Sequence, residues 1–232
     1  MEKYVIFDRP GWYRPGLYRE LKALGLQVLR ANELMTSLRN WEGWKNYDRS
    51  KTLLVFPGNG ASIVKGCLGQ SYPEWLGQWQ WKASVPAKRF WTPGSYPEAV
   101  VGRINPGVLV GFKDVVIVDD VISSGETCRQ IKALNQPFIP NVRWHAATWV
   151  LQRSAKLKGF SRVFSAVQVG SEKSKVPINS LSTLLERPDI AQSYAARNFA
   201  NPDDLLKSLL NPNNFSPPSD SEDFDNHCVG EE

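Results

Sequence analysis

An α/β fold built on a parallel sheet of about five strands flanked by helices is what this 232-residue chain predicts, and three observations carry that reading. Val115-Val116-Ile117-Val118 is an unbroken β-branched run, the pattern of a strand covered on both faces, and the residues from Cys128 to Leu134 carry on as a helix. Thr52 to Phe56 is a second apolar run, broken by Pro57-Gly58-Asn59-Gly60-Ala61-Ser62 before a helix from about Ile63. Val142 to Leu151 (VRWHAATWVL) and Arg162 to Val169 (RVFSAVQV) read as two further buried strands. Joined by right-handed crossovers, these strands make a Rossmann-like sheet.

Before this core, Tyr4 to Phe7 is a short strand, Pro15 to Leu24 a helix closed by Gly25, Leu26 to Leu29 a strand, and Glu33 to Leu38 a helical stretch. Residues 1–50 are therefore read as an N-terminal addition and 51–185 as the core. Residues 186–210 are a helical segment, amphipathic from Asp189 to Leu210 and interrupted near Asn201-Pro202. The stretch 211–232 is polar, rich in Pro and Ser, and acidic, a composition that cannot bury enough apolar surface to order itself.

Composition narrows the function classes. No run approaches the roughly 18 apolar residues of a membrane span, and MEKYVIFDRP lacks the apolar centre of a signal peptide, so a cytoplasmic setting is expected. Cys67, Cys128 and Cys228 are scattered, and with only two histidines they indicate neither a zinc site nor a disulfide framework. The net charge of +5 is uneven. The tail holds six acids (Asp220, Glu222, Asp223, Asp225, Glu231, Glu232) and no Lys or Arg, which leaves the body at about +11. Such a body suits polyanionic ligands and, equally, nucleic acid.

The chemistry concentrates where the strand at 115–118 runs into Asp119-Asp120-Val121-Ile122-Ser123-Ser124-Gly125-Glu126-Thr127. At the carboxyl end of such a strand, the N–H groups of the turn and of the next helix start point outward and, with the helix dipole, favour a phosphate. Gly125 permits close backbone approach or positive φ, and Ser123, Ser124 and Thr127 add hydroxyl donors. Carboxylates beside a phosphate would repel it. Asp119 and Asp120 are therefore read as facing the vicinal hydroxyls of a ribose or a magnesium ion.

Residues 115–127, with four apolar residues, two acids, an apolar pair, small residues, Gly and Thr, resemble the phosphoribosyl-pyrophosphate signature of the type I phosphoribosyltransferases. The resemblance implies that family's fold, with the N-terminal addition as part of a hood. It also implies transfer of ribose 5-phosphate from phosphoribosyl pyrophosphate to a nitrogenous acceptor of the nucleobase kind, with release of pyrophosphate. Asp119 and Asp120 would hold the ribose hydroxyls and Mg2+, and Ser123, Ser124, Gly125, Glu126 and Thr127 would wrap the 5′-phosphate. The upstream segment Gly58, Asn59, Gly60 and Ala61 corresponds to the family's pyrophosphate loop, with a simple tight turn as the other reading.

Between Gln70 and Gly107, Trp75, Trp79, Trp81, Trp91 and the basic residues Lys82, Lys88 and Arg89 resemble the family's long closing loop. Lys88 and Arg89 are candidates for the leaving group, with solvated charges on an edge hairpin as the competing reading. Lys82 is a weaker candidate, and the tryptophans are read first as core. His145 within a strand is read as structural. Residues 175–184 resemble the stretch that returns toward the hood, where acceptor identity is not legible. The expected partners are phosphoribosyl pyrophosphate, a small nitrogenous acceptor and a second copy of the chain in a homodimer. The alternative is a non-catalytic regulator or defence-system accessory protein that binds such ligands and nucleic acid.

Overall fold

The structure, a computed structural model, describes residues 2–90, 98–104 and 111–214. The chain divides into two units, one formed by Met1–Leu34 with Val176–Glu232 and the other by Met35–Lys175. In chain order, β1 (Tyr4–Phe7), α1 (Leu17–Ala23) and β2 (Gln27–Arg30) open the first unit, followed by α2 (Ala31–Arg39). Gly25, at φ 80°, turns the chain from α1 back into β2.

The Met35–Lys175 unit carries β3 (Thr52–Pro57), α3 (Gly58–Ser71), α4 (Pro73–Gly77), β4 (Trp81–Val85), β5 (Ala87–Phe90), β6 (Glu98–Val101), β7 (Asp114–Ile122), α5 (Glu126–Asn135), β8 (Arg143–Gln152) and β9 (Arg162–Val169). Five of these strands form one parallel sheet in the order β4-β3-β7-β8-β9, and β5 and β6 form a separate antiparallel pair. The five-stranded, helix-flanked parallel sheet expected from the sequence is thus present. Its central strands are apolar on both faces because helices cover both. On one face Leu53, Val55, Val115, Ile117, Trp144 and Ala146 pack with Cys128 and Ile131 of α5. The alternate residues, including Leu54, Phe56, Val116 and Val118, are equally buried, as are Ala61, Val64 and Leu68 of α3.

Two expectations change. Helix α3 begins at Gly58, not near Ile63, because Gly58 takes a φ of 67° and completes the turn in one residue. The expected Gly-rich loop is therefore the first turn of a helix. Part of the segment from Gln70 to Gly107 belongs to the sheet and not to a loop, since β4 pairs with β3; Trp79 is fully buried and Trp75 nearly so, as the reading of the tryptophans as core expects. Trp44, Trp75 and Trp79 meet edge to face at 5.3–5.7 Å between centroids, and the Trp44 indole N–H donates to Leu38 O at 2.6 Å. Trp91, like residues 105–110 and 215–232, lies outside the described residues.

The first unit resumes with β10 (Ile178–Ser180), α6 (Leu181–Glu186), α7 (Pro188–Asn198) and α8 (Pro202–Leu209), the last two separated at Asn201-Pro202 as the sequence indicates. Its sheet is parallel, in the order β10-β1-β2. Buried Asp8 staples it: one carboxylate oxygen accepts from the Tyr13 hydroxyl (2.6 Å) and the Ser182 N–H (3.1 Å), and the other from the Ser182 hydroxyl. Among the described residues no helix is long and apolar enough to cross a membrane.

Candidate functional site

In the larger sheet, β3 comes first in the chain, its successor β4 lies on one side of it, and β7 lies on the other. The direction of winding reverses between β3 and β7, and in open parallel sheets the crevice outside the carboxyl ends at such a point is where ligands bind. Both segments singled out in the sequence leave the sheet here: β3 runs into Gly58 of α3, and β7 runs through Asp119 and Asp120 to the turn before α5.

The two acids have different surroundings because successive strand residues face opposite sides. Asp119 is 8% exposed and, with Val121, Ile122, Ser123, Gly125, Glu126, Thr127 and Cys128, lines a shallow open concavity. Asp120 is less buried and lies over the first turn of α3. A Cβ on Gly60 would stand 2.2–2.6 Å from the Asp120 carboxylate atoms, so the bare glycine backbone makes the room that Asp120 occupies. One oxygen of Asp119 accepts from Asp120 N (3.0 Å), and one of Asp120 accepts from Val121 N (2.7 Å). Thr148 on β8, fully buried, donates its hydroxyl to the Asp120 carbonyl at 3.0 Å and holds that backbone in place.

The turn is preshaped. Gly125 adopts φ 76° as the residue before α5, and a Cβ there would lie 2.6 Å from the Lys156 carbonyl oxygen, so both conformation and contact require glycine. Ser124 Oγ accepts from Glu126 N at 3.3 Å. The Glu126 carboxylate is engaged within its own helix, by Arg129 and by Gln130 Nε2 at 3.1 Å. Ser123 and Thr127 line the concavity half-buried, Ser124 is half-buried beside it in the same turn, and the amino end of α5 supplies outward N–H groups.

Gly58, Asn59, Gly60 and Ala61 form the opening turn of α3, with Asn59 exposed and Ala61 buried. A Cβ on Gly58 would be 2.9 Å from the Ala87 carbonyl oxygen, so the base of the β5–β6 hairpin abuts this turn. Lys88 and Arg89 sit on β5, paired with Val100 and Ala99 of β6. Lys82 is directed elsewhere: its ammonium donates to the carbonyls of Leu76 (3.2 Å) and Trp79 (2.6 Å). Among the described residues no cluster of three or more His, Cys, Asp or Glu side chains is placed to hold a metal alone.

His145 lies at the opposite end of the sheet. It is buried against Asp114 at the amino end of β7, with Nε2 2.9 Å from Asp114 Oδ1, while Arg143 reaches the same carboxylate at 2.8 and 2.9 Å. Burial pushes the imidazole pKa down, outweighing its hydrogen bond to Asp114. The structural reading of His145 agrees with this position. Three contributors to the site were not identified from sequence: Thr148, Arg129 and the Lys156 backbone. Only Arg129 left a trace, as the i,i+3 partner of Glu126.

Fold and site together define a doubly wound α/β protein with two acids and a glycine-bearing turn at a helix start, all at its switch point. No family model matches the sequence, and no curated protein matches it. Among solved structures the chain is similar to a xanthine-guanine-hypoxanthine phosphoribosyltransferase from Helicobacter pylori, at 13% identity and TM-score 0.46, over 81% of this chain and 97% of that one. It is also similar to a hypothetical protein from Neisseria gonorrhoeae with bound ppGpp, at 15% identity and TM-score 0.43, over 90% and 97%. A third is a purine phosphoribosyltransferase from Pyrococcus horikoshii, at 14% identity and TM-score 0.43, over 77% and 92%.

Proposed function

We propose that this protein is a phosphoribosyltransferase, which transfers ribose 5-phosphate from phosphoribosyl pyrophosphate to a nitrogenous acceptor of the nucleobase kind. The observation that carries the proposal is the meeting of Asp120 with Gly60: it brings the acidic end of β7 and the first turn of α3 to one place at the sheet's switch point. A cradle alone would serve any phosphate. A cradle, two acids and a second helix start suit a ligand with a phosphate at one end, a polyol between and a further anion at the other.

In this reading the turn Ser123–Thr127 binds the 5′-phosphate and Asp119, beside it, accepts hydrogen bonds from ribose hydroxyls. Glu126 contributes its backbone and braces the turn, since its carboxylate is engaged by Arg129 and Gln130. Residues 58–61 receive the pyrophosphate at the amino end of α3, and Lys88 and Arg89 are assigned to the leaving group. Asp120 over Gly60 would oppose an anion there unless a cation lay between them. Mg2+ fits that requirement, because it commonly takes one or two carboxylates, substrate oxygens and its own waters, and Asp120, the acid on that side, would be its protein ligand, whereas the sequence reading gave this role to Asp119 as well. When bound, it would neutralise charge on the leaving group.

The reaction breaks the bond from the sugar C1 to pyrophosphate, whose oxygen keeps the electron pair. The acceptor nitrogen then bonds to C1 and loses its proton. The protein's part is to hold the two ends in line and to stabilise charge as it develops, with the acids offsetting positive charge on the ring. A cytoplasmic setting and a homodimer belong with this reading.

The +11 body supports a second reading, a regulator that binds nucleic acid while keeping the sugar-phosphate site. Calorimetric titration of phosphoribosyl pyrophosphate with Mg2+, followed by pyrophosphate release against purines, pyrimidines and amines, separates the two. Binding with release for one acceptor establishes the transferase. Binding with no release, together with nucleic-acid affinity that falls steeply with salt, favours the regulator. No binding would overturn the assignment of the site.

A further inference from the structure

The turn Ser123–Thr127 is held from behind by the segment after β8. Lys156 N donates to Ser124 O at 3.1 Å, and the Lys156 carbonyl oxygen occupies the space that a side chain at Gly125 would need. Arg129 closes this arrangement. Its Nη1 donates to Ser124 O at 3.0 Å and to Lys156 O at 2.6 Å, and its Nη2 pairs with the Glu126 carboxylate. One guanidinium therefore joins the cradle, the first turn of α5 and the segment following β8. The planar guanidinium, with five donors in a fixed fork, holds two carbonyls and a carboxylate in one set geometry; an ammonium is a compact charge with three donors on a flexible stem and cannot reproduce that fork.

We propose that Arg129 is a positioning residue for the phosphate cradle, fixing the Ser124 carbonyl and thereby the direction of the backbone N–H groups that follow it. The inference rests on the phosphoribosyltransferase reading of the site. It makes a separate claim, that the rigidity of the 5′-phosphate end depends on a residue that does not touch the ligand. Ser124 and Thr127 can present their donors at fixed spacing only while Ser124 O and Lys156 O stay where Arg129 holds them, and preorganisation of this kind appears as affinity.

The test compares the full-length chain with Arg129→Lys and Arg129→Met, using calorimetry with ribose 5-phosphate and, separately, with Mg-pyrophosphate. Circular dichroism and melting temperature report on the fold. The expected result is that both variants remain folded and bind ribose 5-phosphate about tenfold or more weakly, as expected for loss of a charged hydrogen bond. Mg-pyrophosphate, assigned to the other end of the site, should bind as before. The lysine variant should recover little, since it restores charge without the fork. Unchanged ribose 5-phosphate affinity in both variants overturns the role of Arg129 and leaves the proposed function standing. Equal losses for both ligands also overturn it, because they mark a general defect and not a local one. If the unaltered protein binds neither ligand, the proposed function fails, and the role of Arg129 fails with it.

Discussion

Gly60 and Asp120 are separated by sixty positions in the chain and by less than a bond's reach of free space in the structure, so each constrains the other. Gly60→Ala should leave stability within about 1 kcal/mol of the original, because alanine favours the helix and the carboxylate tip of Asp120 can swing aside. The cost should fall on function: calorimetry is expected to show Mg-phosphoribosyl pyrophosphate bound roughly tenfold more weakly, a change of about 1.4 kcal/mol. Wild-type affinity in this variant would show that the position of Asp120 over α3 has no bearing on the ligand. Gly125→Ala should behave in the opposite way. There the obstacle is the Lys156 backbone and the φ is positive, so destabilisation of about 2 kcal/mol or more is expected in urea melts. The double substitution Asp119→Asn with Asp120→Asn should abolish transfer with the fold intact, as judged by turnover and circular dichroism. Near-normal turnover would end the assignment of those acids.

Elements set what these residues can do. The parallel register of β7 on β8 pairs Asp119 with Thr148, and this brings the buried threonine hydroxyl to the Asp120 carbonyl. Thr148→Val keeps the shape and removes the hydroxyl, so a loss of about 1–2 kcal/mol is expected in denaturant melts. The amino ends of the same two strands carry the group at Asp114, Arg143 and His145, with Tyr47 against the imidazole at 5.0 Å. Because burial depresses the His145 pKa, the unfolded chain takes up a proton near the ordinary value of about 6.5 and the folded chain does not until lower pH. His145 therefore contributes stability above that value that is lost as pH falls from about 6.5 toward the folded pKa. His145→Gln should flatten this part of a melting-temperature profile between pH 7 and 5; an unaltered profile would remove His145 as its source. Four of the five strands of the larger sheet and the signature were legible because period and composition mark them locally, whereas β4 was not. The start of α3 was not, since a Gly-Asn-Gly sequence fits both a loop and a helix opened by one positive-φ glycine.

For the whole molecule, a ligand that binds only the native state must raise the melting temperature, by an amount set by its concentration relative to Kd. Mg-phosphoribosyl pyrophosphate at a hundredfold excess over Kd should add about 2.7 kcal/mol, visible by calorimetric scanning, whereas an unchanged transition would contradict specific binding. By itself the sequence determined the class of sheet, the strand that carries the acids, the glycine-bearing turn and the uneven charge. Each of these follows from periodicity or residue type read along the chain. Tertiary structure alone decided that Asp119 and Asp120 face different sides, that Gly60 yields its space to Asp120, and that Thr148 holds the Asp120 carbonyl while Arg129 and the Lys156 carbonyl abut the turn before α5. It also decided that Lys82 caps carbonyls. The physical reason is that strand order and register set which distant residues meet, and neither is written in any local pattern of the chain.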